Sequence, residues 1–342
     1  MKIALTVDPE IAVPPLHYGG IERIVDFLVT EYLRKGHQVF LFANENSRND
    51  CELKIWPGKN SQNKLDTLKN TVFLTKEHLI HRFDIVHSFS RLAYLGLILP
   101  FGAKCIMSYQ REPTISQIKK INKLAFWKNL HFTGCSDYIS DQIKPFAPTT
   151  TVYNGVDLKK FDFAPTAENN SPLVFLGRIE PIKGTHNAIK LAKASRKKLI
   201  IAGNIPSEYQ WYFKEEVEPH LDADITYMGS VDDRQKNILL QNALAFLMPI
   251  EWNEPFGIVM AEAMACGTPV IGTSKGAVNE VVIDGVNGFK HANVDSLVHA
   301  INNIEKISRS NVRKDAEERF SSTAIAEKYL MLYKSHYQYR II

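Results

Sequence analysis

The 342-residue chain lacks any uninterrupted apolar run of ~18 residues, so no transmembrane helix is expected. It has few cysteines. Cys51, Cys105, Cys135 and Cys266 are scattered, with no CxxC pair and no Cys/His cluster at metal-ligand spacing. A disulfide scaffold and a zinc module are thereby excluded, and the thiols read as small hydrophobes in a reducing compartment. A large charge excess is also missing. The balance of 41 Lys and Arg against 37 Asp and Glu leaves +4, too little to argue for nucleic acid. No GxGxxG follows the first apolar run and no GxxxxGKS/T occurs, which removes the usual dinucleotide and P-loop signatures. Low-complexity segments and usable internal repeats are absent. Asp8 and Glu10 come too early for the apolar region of a signal peptide, so the expected location is cytoplasmic, at most peripheral at the inner face of the membrane.

What is present is alternation. Short apolar runs at 2–7 (KIALTV), 38–43 (QVFLFA), 84–87 and 105–108 read as buried parallel strands, with 132–135 and 151–153 completing the first half. Between the first two, Ile24, Val25, Leu28, Val29 and Tyr32 recur at helical spacing over 21–35, and Gly36 supplies the stop. The polar stretch 158–171 reads as a linker. Beyond it strands at 173–176, 198–202, 225–228, 246–249 and 269–272 alternate with helices at 186–194, 234–243 and 256–265. A long amphipathic helix over 322–339 closes the chain. At ~150 residues per domain the length suggests two. The expectation is α/β: two doubly wound Rossmann-like domains, 1–165 and 166–324, with a helix over 325–342 crossing back onto the first. They would face each other across a cleft, with ligands beyond the carboxyl ends of the strands.

Four groups of residues carry candidate chemistry. In EPFGIVMAE, Pro255 suits the first position of a helix, and the amides of Gly257, Ile258 and Val259 would be its unpaired donors, suited to a phosphate or a sugar oxygen. Glu254 also reads as an acid placed favourably before a helix. Glu262 also reads as a solvated helix position, yet it lies among Met260, Ala261, Ala263 and Met264, where a lone carboxylate reads as facing a polar cleft. In GRIEPIKG, directly after a strand, Arg178 offers a fork for phosphate and Lys183 a compact charge; either alone is equally a surface cation. Gly19 and Gly20 in HYGGIER open a helix as a close-approach loop or a plain turn. His87 at a strand end is a candidate base, and equally a structural histidine.

Together these motifs resemble glycosyltransferase family 4, the retaining nucleotide-sugar-dependent enzymes of GT-B fold. The resemblance runs from GGIER at 19–23 through NGVD at 154–157 and GRIEPIKG at 177–184 to EPFGIVMAEAMACGTPVIG at 254–272 and VVIDGVNGF at 281–289. PPLHYGGIERIV is most similar to the subgroup that includes the avilamycin-pathway transferase. The resemblance implies an acceptor-side first domain and a donor-binding second domain. Arg178 and Lys183 would hold the donor diphosphate, Glu262 the ribose hydroxyls, and Glu254 the donor sugar. Gly257, Ile258 and Val259 would offer amides, and Gly19 and Gly20 would approach the phosphate. Asn204 and Val231 would lie near the nucleoside. Where many relatives carry a sugar-contacting His, this chain has Gln110, which keeps hydrogen bonding but cannot titrate.

The implied reaction moves a sugar from a nucleotide-sugar, a UDP- or GDP-sugar first among donors, with retention. No metal or other cofactor is expected. The acceptor would be a glycan, lipid-linked or small molecule, as in polysaccharide biosynthesis, and no nucleic-acid partner and a monomer are expected. The segment 111–128 carries Arg111, Lys119, Lys120, Lys123 and Lys128 against Glu112. With Ile118, Ile121, Leu124 and Ala125 at helical spacing before Phe126 and Trp127, it reads as a basic amphipathic helix for a membrane surface, or as an ordinary surface helix. The alternatives to transfer are a nucleotide-sugar epimerase or hydrolase on the same fold and a silent nucleotide-sugar-binding protein.

Overall fold

The computed structural model describes residues 1–16, 19–168 and 170–338. By its contacts the chain forms two units, Met1–Asn154 with the chain from Ser322 on, and Gly155–Ser321.

In unit 1 the chain runs β1 (Lys2–Thr6), α1 (Gly20–Arg34), β2 (Gln38–Ala43), β3 (Glu52–Ile55), α2 (Lys64–His81), β4 (Ile85–Ser88), β5 (Cys105–Tyr109), α3 (Ile115–Asn122), β6 (Leu130–Gly134), α4 (Asp137–Ile143) and β7 (Thr149–Thr151). The sheet is parallel, in the order β3-β2-β1-β4-β5-β6-β7. Its inner strands are apolar because both faces are covered. α1 buries Ile24, Val25, Leu28, Val29 and Tyr32, the stripe its spacing predicts. Its last turn closes through Gly36, whose amide reaches the Leu33 carbonyl in a left-handed conformation.

Unit 2 contains β8 (Leu173–Leu176), α5 (Thr185–Ser195), β9 (Leu199–Ala202), α6 (Gln210–Tyr212), β10 (Ile225–Tyr227), α7 (Asp233–Asn242), β11 (Ala245–Met248), α8 (Ile258–Ala265), β12 (Val270–Thr273), α9 (Val278–Val281), β13 (Gly288–His291), α10 (Leu297–Asn302) and α11 (Arg309–Phe320). This second parallel sheet has the order β10-β9-β8-β11-β12-β13. In each sheet the strand order reverses beside the unit's first strand, between β1 and β4 and between β8 and β11. Loops diverge there and leave room for a ligand. α12 (Ser322–Gln338) returns to unit 1 and packs on α1. Tyr333 meets the Tyr32 hydroxyl at 3.0 Å, and Lys35 pairs with Glu327.

Several expectations are corrected. The stretch 158–171, expected as a linker, falls within unit 2 and is packed there along its described length. Phe161 is buried, the Phe163 ring lies against Gly267, and Arg309 and Arg313 take the carbonyls of Ala164 and Phe161. The strand expected over 151–153 ends at Thr151. The helix expected from 256 starts at Ile258, with Gly257 as its left-handed N-cap, so Pro255 stands outside it. The basic segment holds only the eight-residue α3; Leu124 and Ala125 lie in tight turns beyond it. Residues 339–342 of the expected terminal helix lie outside the described residues.

Candidate functional site

The loops at the reversal point of unit 2 converge. β8 leads into GRIEPIKG and β11 into the segment that carries Trp252 and Glu254. Gly184 has φ +75°, and a Cβ there would run into the Pro249 carbonyl oxygen just past β11, so the two loops touch where only glycine fits. Gly203, with φ +147° after β9, lies against the Gly177 carbonyl, and its amide donates to Gly229 at 2.8 Å. Glycines from three strand ends thus bring backbones into close approach.

Across this floor Lys183 Nζ meets Glu254 Oε2 at 2.7 Å, and both side chains are largely buried. The Trp252 indole N–H donates to the same carboxylate oxygen at 3.0 Å, and its ring stands 4.5 Å from Lys183 Nζ. The acid is therefore fixed from two sides. The ammonium has three donors and is not exhausted by one carboxylate. Arg178 is exposed and pairs with buried Glu180 at 2.8 Å. Beyond Glu254, α8 begins at half-buried Ile258 and Val259, whose amides belong to the first helical turn, while Met260 N–H already bonds Gly257.

Glu262 is 5% exposed, and Lys236 of α7 pairs with it at 2.5 Å. The solvated-face reading is thereby ruled out: this carboxylate is buried against a cation. Asn204 is exposed and accepts from the Ile179 amide, while Val231 is half-buried in the turn before α7. The structure thus brings Lys183, Glu254 and the start of α8 together and places Glu262 one turn further along that helix.

In unit 1 the outcome is different. His87 is fully buried. Its Nδ1 lies 2.6 Å from the Tyr333 hydroxyl and its Nε2 2.7 Å from Ser108 Oγ, and burial pushes its pKa down to about 3. Expected as a candidate base, it is instead a neutral core group that ties β4 to α12 and β5. Gly19 caps α1 against Pro15 and Glu22, with Gly20 as the first helical residue. His17 and Tyr18 of the HYGGIER motif lie outside the described residues. Gln110 follows β5, with both amide atoms buried and without a hydrogen-bond partner among the described residues.

The sequence reading missed three things here. Lys236 and Trp252 orient the two acids. A concavity of about 500 Å³ past the end of β1 is lined by Asp8, Glu10, Ile11, Glu22, Lys59, Asn60, Ser61 and Gln62, three acids against one lysine. Burial raises the Asp8 pKa to about 6 despite the pull of Arg91, and Glu22 is raised by burial as well. An apolar run that stops at an acid, VDPE, is the only signal that could have pointed there. Among the described residues no three His, Cys, Asp or Glu side chains cluster as a metal site, and no helix is long and apolar enough to cross a membrane.

Residues 158–324 match the family described as Glycosyl transferases group 1, and residues 18–160 match Glycosyltransferase Family 4. Glycogen synthase of Mycobacterium tuberculosis is 28% identical over 220 residues, 57% of this chain and 53% of that protein. The chain thus spans about half the length of that relative. Among solved structures, AviGT4, a glycosyltransferase involved in avilamycin A biosynthesis, aligns with 98% of each chain at TM-score 0.75 and 24% identity. HepE of Anabaena, in complex with UDP-glucose, aligns over 98% of this chain and 100% of its own at TM-score 0.73 and 19% identity.

Proposed function

The chain belongs with the family 4 glycosyltransferases of GT-B fold, and on that premise we propose that it moves a sugar from a nucleotide-sugar to an acceptor hydroxyl, with the donor held by unit 2. The observation that carries this reading is the Lys183–Glu254 pair at the reversal point, beside the first turn of α8. A diphosphate there meets the ammonium of Lys183, the exposed guanidinium of Arg178 and helix-start amides, which together oppose its charge. Glu254 offers a carboxylate to sugar hydroxyls, and Glu262, held by Lys236, offers one to the ribose diol. The HepE complex makes a UDP-sugar the first donor to test.

The bond between the anomeric carbon and the β-phosphate oxygen breaks, a bond to the acceptor oxygen forms, and the acceptor proton ends on the departing phosphate. Charge grows on that phosphate as it leaves, so the cations and amides act where the transition state differs from the bound donor. Retention and independence from metal belong to the proposal. We assign the acceptor to the acidic concavity of unit 1, where Asp8 and the amides of Asn60 and Gln62 suit a polyhydroxylated molecule. The matches to two glycosyltransferase families do not favour an epimerase, a hydrolase or a silent binder.

The test supplies UDP-glucose and other labelled donors with and without oligosaccharide and polyprenyl-phosphate-sugar acceptors. Release of nucleoside diphosphate with a glycosylated product supports transfer. An epimerised donor, or free sugar alone in every mixture, contradicts it.

A further inference from the structure

α2 carries an unusual share of its apolar residues on its outer side. Its inner side buries Asn70, Thr71, Glu77 and His78 with Leu74, while half-buried Phe73 packs on the core rings of Phe42 and Trp56. Leu65, Leu68, Val72 and Leu79 lie outward at helical spacing, all exposed, and Ile80 is exposed beside them. An ordinary surface helix shows the reverse. This outer face forms one side of an open apolar groove of about 390 Å³ lined by Val72, Thr75, Lys76, Leu79, Ile80 and Leu97.

The apolar surface continues past Leu97. Phe101 follows, 67% exposed, and the Trp127 indole N–H donates to the Pro100 carbonyl at 3.1 Å. That bond holds the 123–128 turns, with Phe126 at 71% and Trp127 at 69% exposure, beside the 97–101 turn. α2 and α3 both pack on the turn at Leu92–Leu95 between them, which fixes the pieces relative to one another within unit 1. Five cations accompany this surface. Lys76, Lys119, Lys120, Lys123 and Lys128 are exposed, and none forms an ion pair among the described residues, although Lys119 Nζ lies over the Phe146 ring at 4.2 Å. The nearby acids are already engaged: Asp66 with Lys69, Asp141 with Lys144, and Glu112 with the Tyr138 hydroxyl.

We propose that this face of unit 1, made by the outer side of α2, the 97–101 turn and the 119–128 segment, seats on an anionic lipid bilayer. Exposed aromatic and aliphatic side chains among lysines without carboxylate partners in the described residues match the headgroup boundary, where rings enter the acyl edge and ammonium groups stay with the phosphates. A second copy of the chain fits poorly, because it brings the same five cations against these. The proposal differs from a lone basic helix over 111–128, since α2 supplies five of the exposed apolar residues, Leu65, Leu68, Val72, Leu79 and Ile80. It does not depend on the transfer reaction.

The full chain is floated with vesicles of phosphatidylcholine alone and with vesicles carrying about one-third phosphatidylglycerol, at low and high salt. Binding is expected only to the anionic vesicles and is expected to weaken with salt. Three paired variants divide the face: Phe126→Ser with Trp127→Ser, Lys119→Glu with Lys123→Glu, and Leu79→Gln with Ile80→Gln. Each should lower vesicle affinity by about tenfold or more while thermal stability stays near that of the parent. Absence of binding to anionic vesicles overturns the proposal. So does equal binding by all three folded variants, or a dimer in sedimentation that the Leu79 and Ile80 substitutions dissociate.

Discussion

Lys183 and Glu254, 71 positions apart in the chain, meet at 2.7 Å where the strand order of unit 2 reverses. Neither side chain is well solvated, so each depends on the other for charge compensation, and Trp252 closes the arrangement. A buried pair at this place is poorly explained by stability alone, because an apolar pair of similar size is often as stable. Its placement beside helix-start amides is what a donor diphosphate and its sugar would use.

Removing one partner should therefore hurt more than removing both. Lys183→Met is expected to lower unfolding free energy by about 2–4 kcal/mol by leaving Glu254 buried alone. Adding Glu254→Gln should restore most of that loss. Denaturant unfolding of the four proteins measures the coupling, and additive losses would show that the two do not compensate each other.

Glu262→Gln separates structure from ligand binding. The amide oxygen still accepts from Lys236, so the fold should survive. Donor affinity should fall by about tenfold or more, because a charge-assisted hydrogen bond to the ribose is lost. Calorimetric titration with UDP reads this directly, and unchanged affinity in the folded variant would remove Glu262 from the donor site.

His87 sets a pH dependence of stability. Its pKa is held at about 3 by burial, well below the ordinary histidine value. Between that ordinary value and about 3 the unfolded chain binds a proton that the native state does not, so stability falls as pH drops through this window. From pH 6.5 to 5 the share from this one residue is on the order of 2 kcal/mol. His87→Gln should flatten the acid limb by about that amount. An unchanged slope would mean that His87 is protonated in the fold.

Asp8 has the opposite sign. With its pKa raised to about 6, the native state holds a proton that the unfolded chain has lost, so stability decreases as pH rises from about 4 to 6. Asp8→Asn is expected to stabilise the protein above pH 6 by about 1–2 kcal/mol and to leave it unchanged near pH 4. The same substitution should slow transfer to acceptor while nucleotide affinity stays constant. Loss of nucleotide affinity would move Asp8 out of the acceptor site.

The alternating architecture was legible because the inner strands are buried on both faces and read as continuous apolar runs. GRIEPIKG and EPFGIVMAE were legible as a set through their resemblance to a known family, because each cation or carboxylate taken alone is equally an ordinary surface or helix-start charge. β3 and α2 were not found. β3 is a short edge strand carrying Glu52 and Lys54, and α2 buries polar Asn70, Thr71, Glu77 and His78 beside Leu74 while exposing Leu65, Leu68 and Leu79, which blurs the expected pattern. His87 was open to two readings because its partner Tyr333 is 246 positions away, on a helix whose docking on unit 1 no local spacing reveals. Lys236 and Trp252 were missed for the same reason: each is ordinary in its own segment and acquires a role only through the acid it meets.

The central claim is that unit 2 holds the diphosphate of a nucleotide-sugar between Lys183, Arg178 and the start of α8. The most direct measurement is the melting temperature of the parent and of Lys183→Met with UDP, GDP, ADP, dTDP and their sugars, without added metal. A ligand bound only by the native state raises that temperature. The account predicts a selective rise with one nucleoside diphosphate and its sugar, lost in Lys183→Met. Equal rises in both proteins, or no rise with any nucleotide, would contradict it.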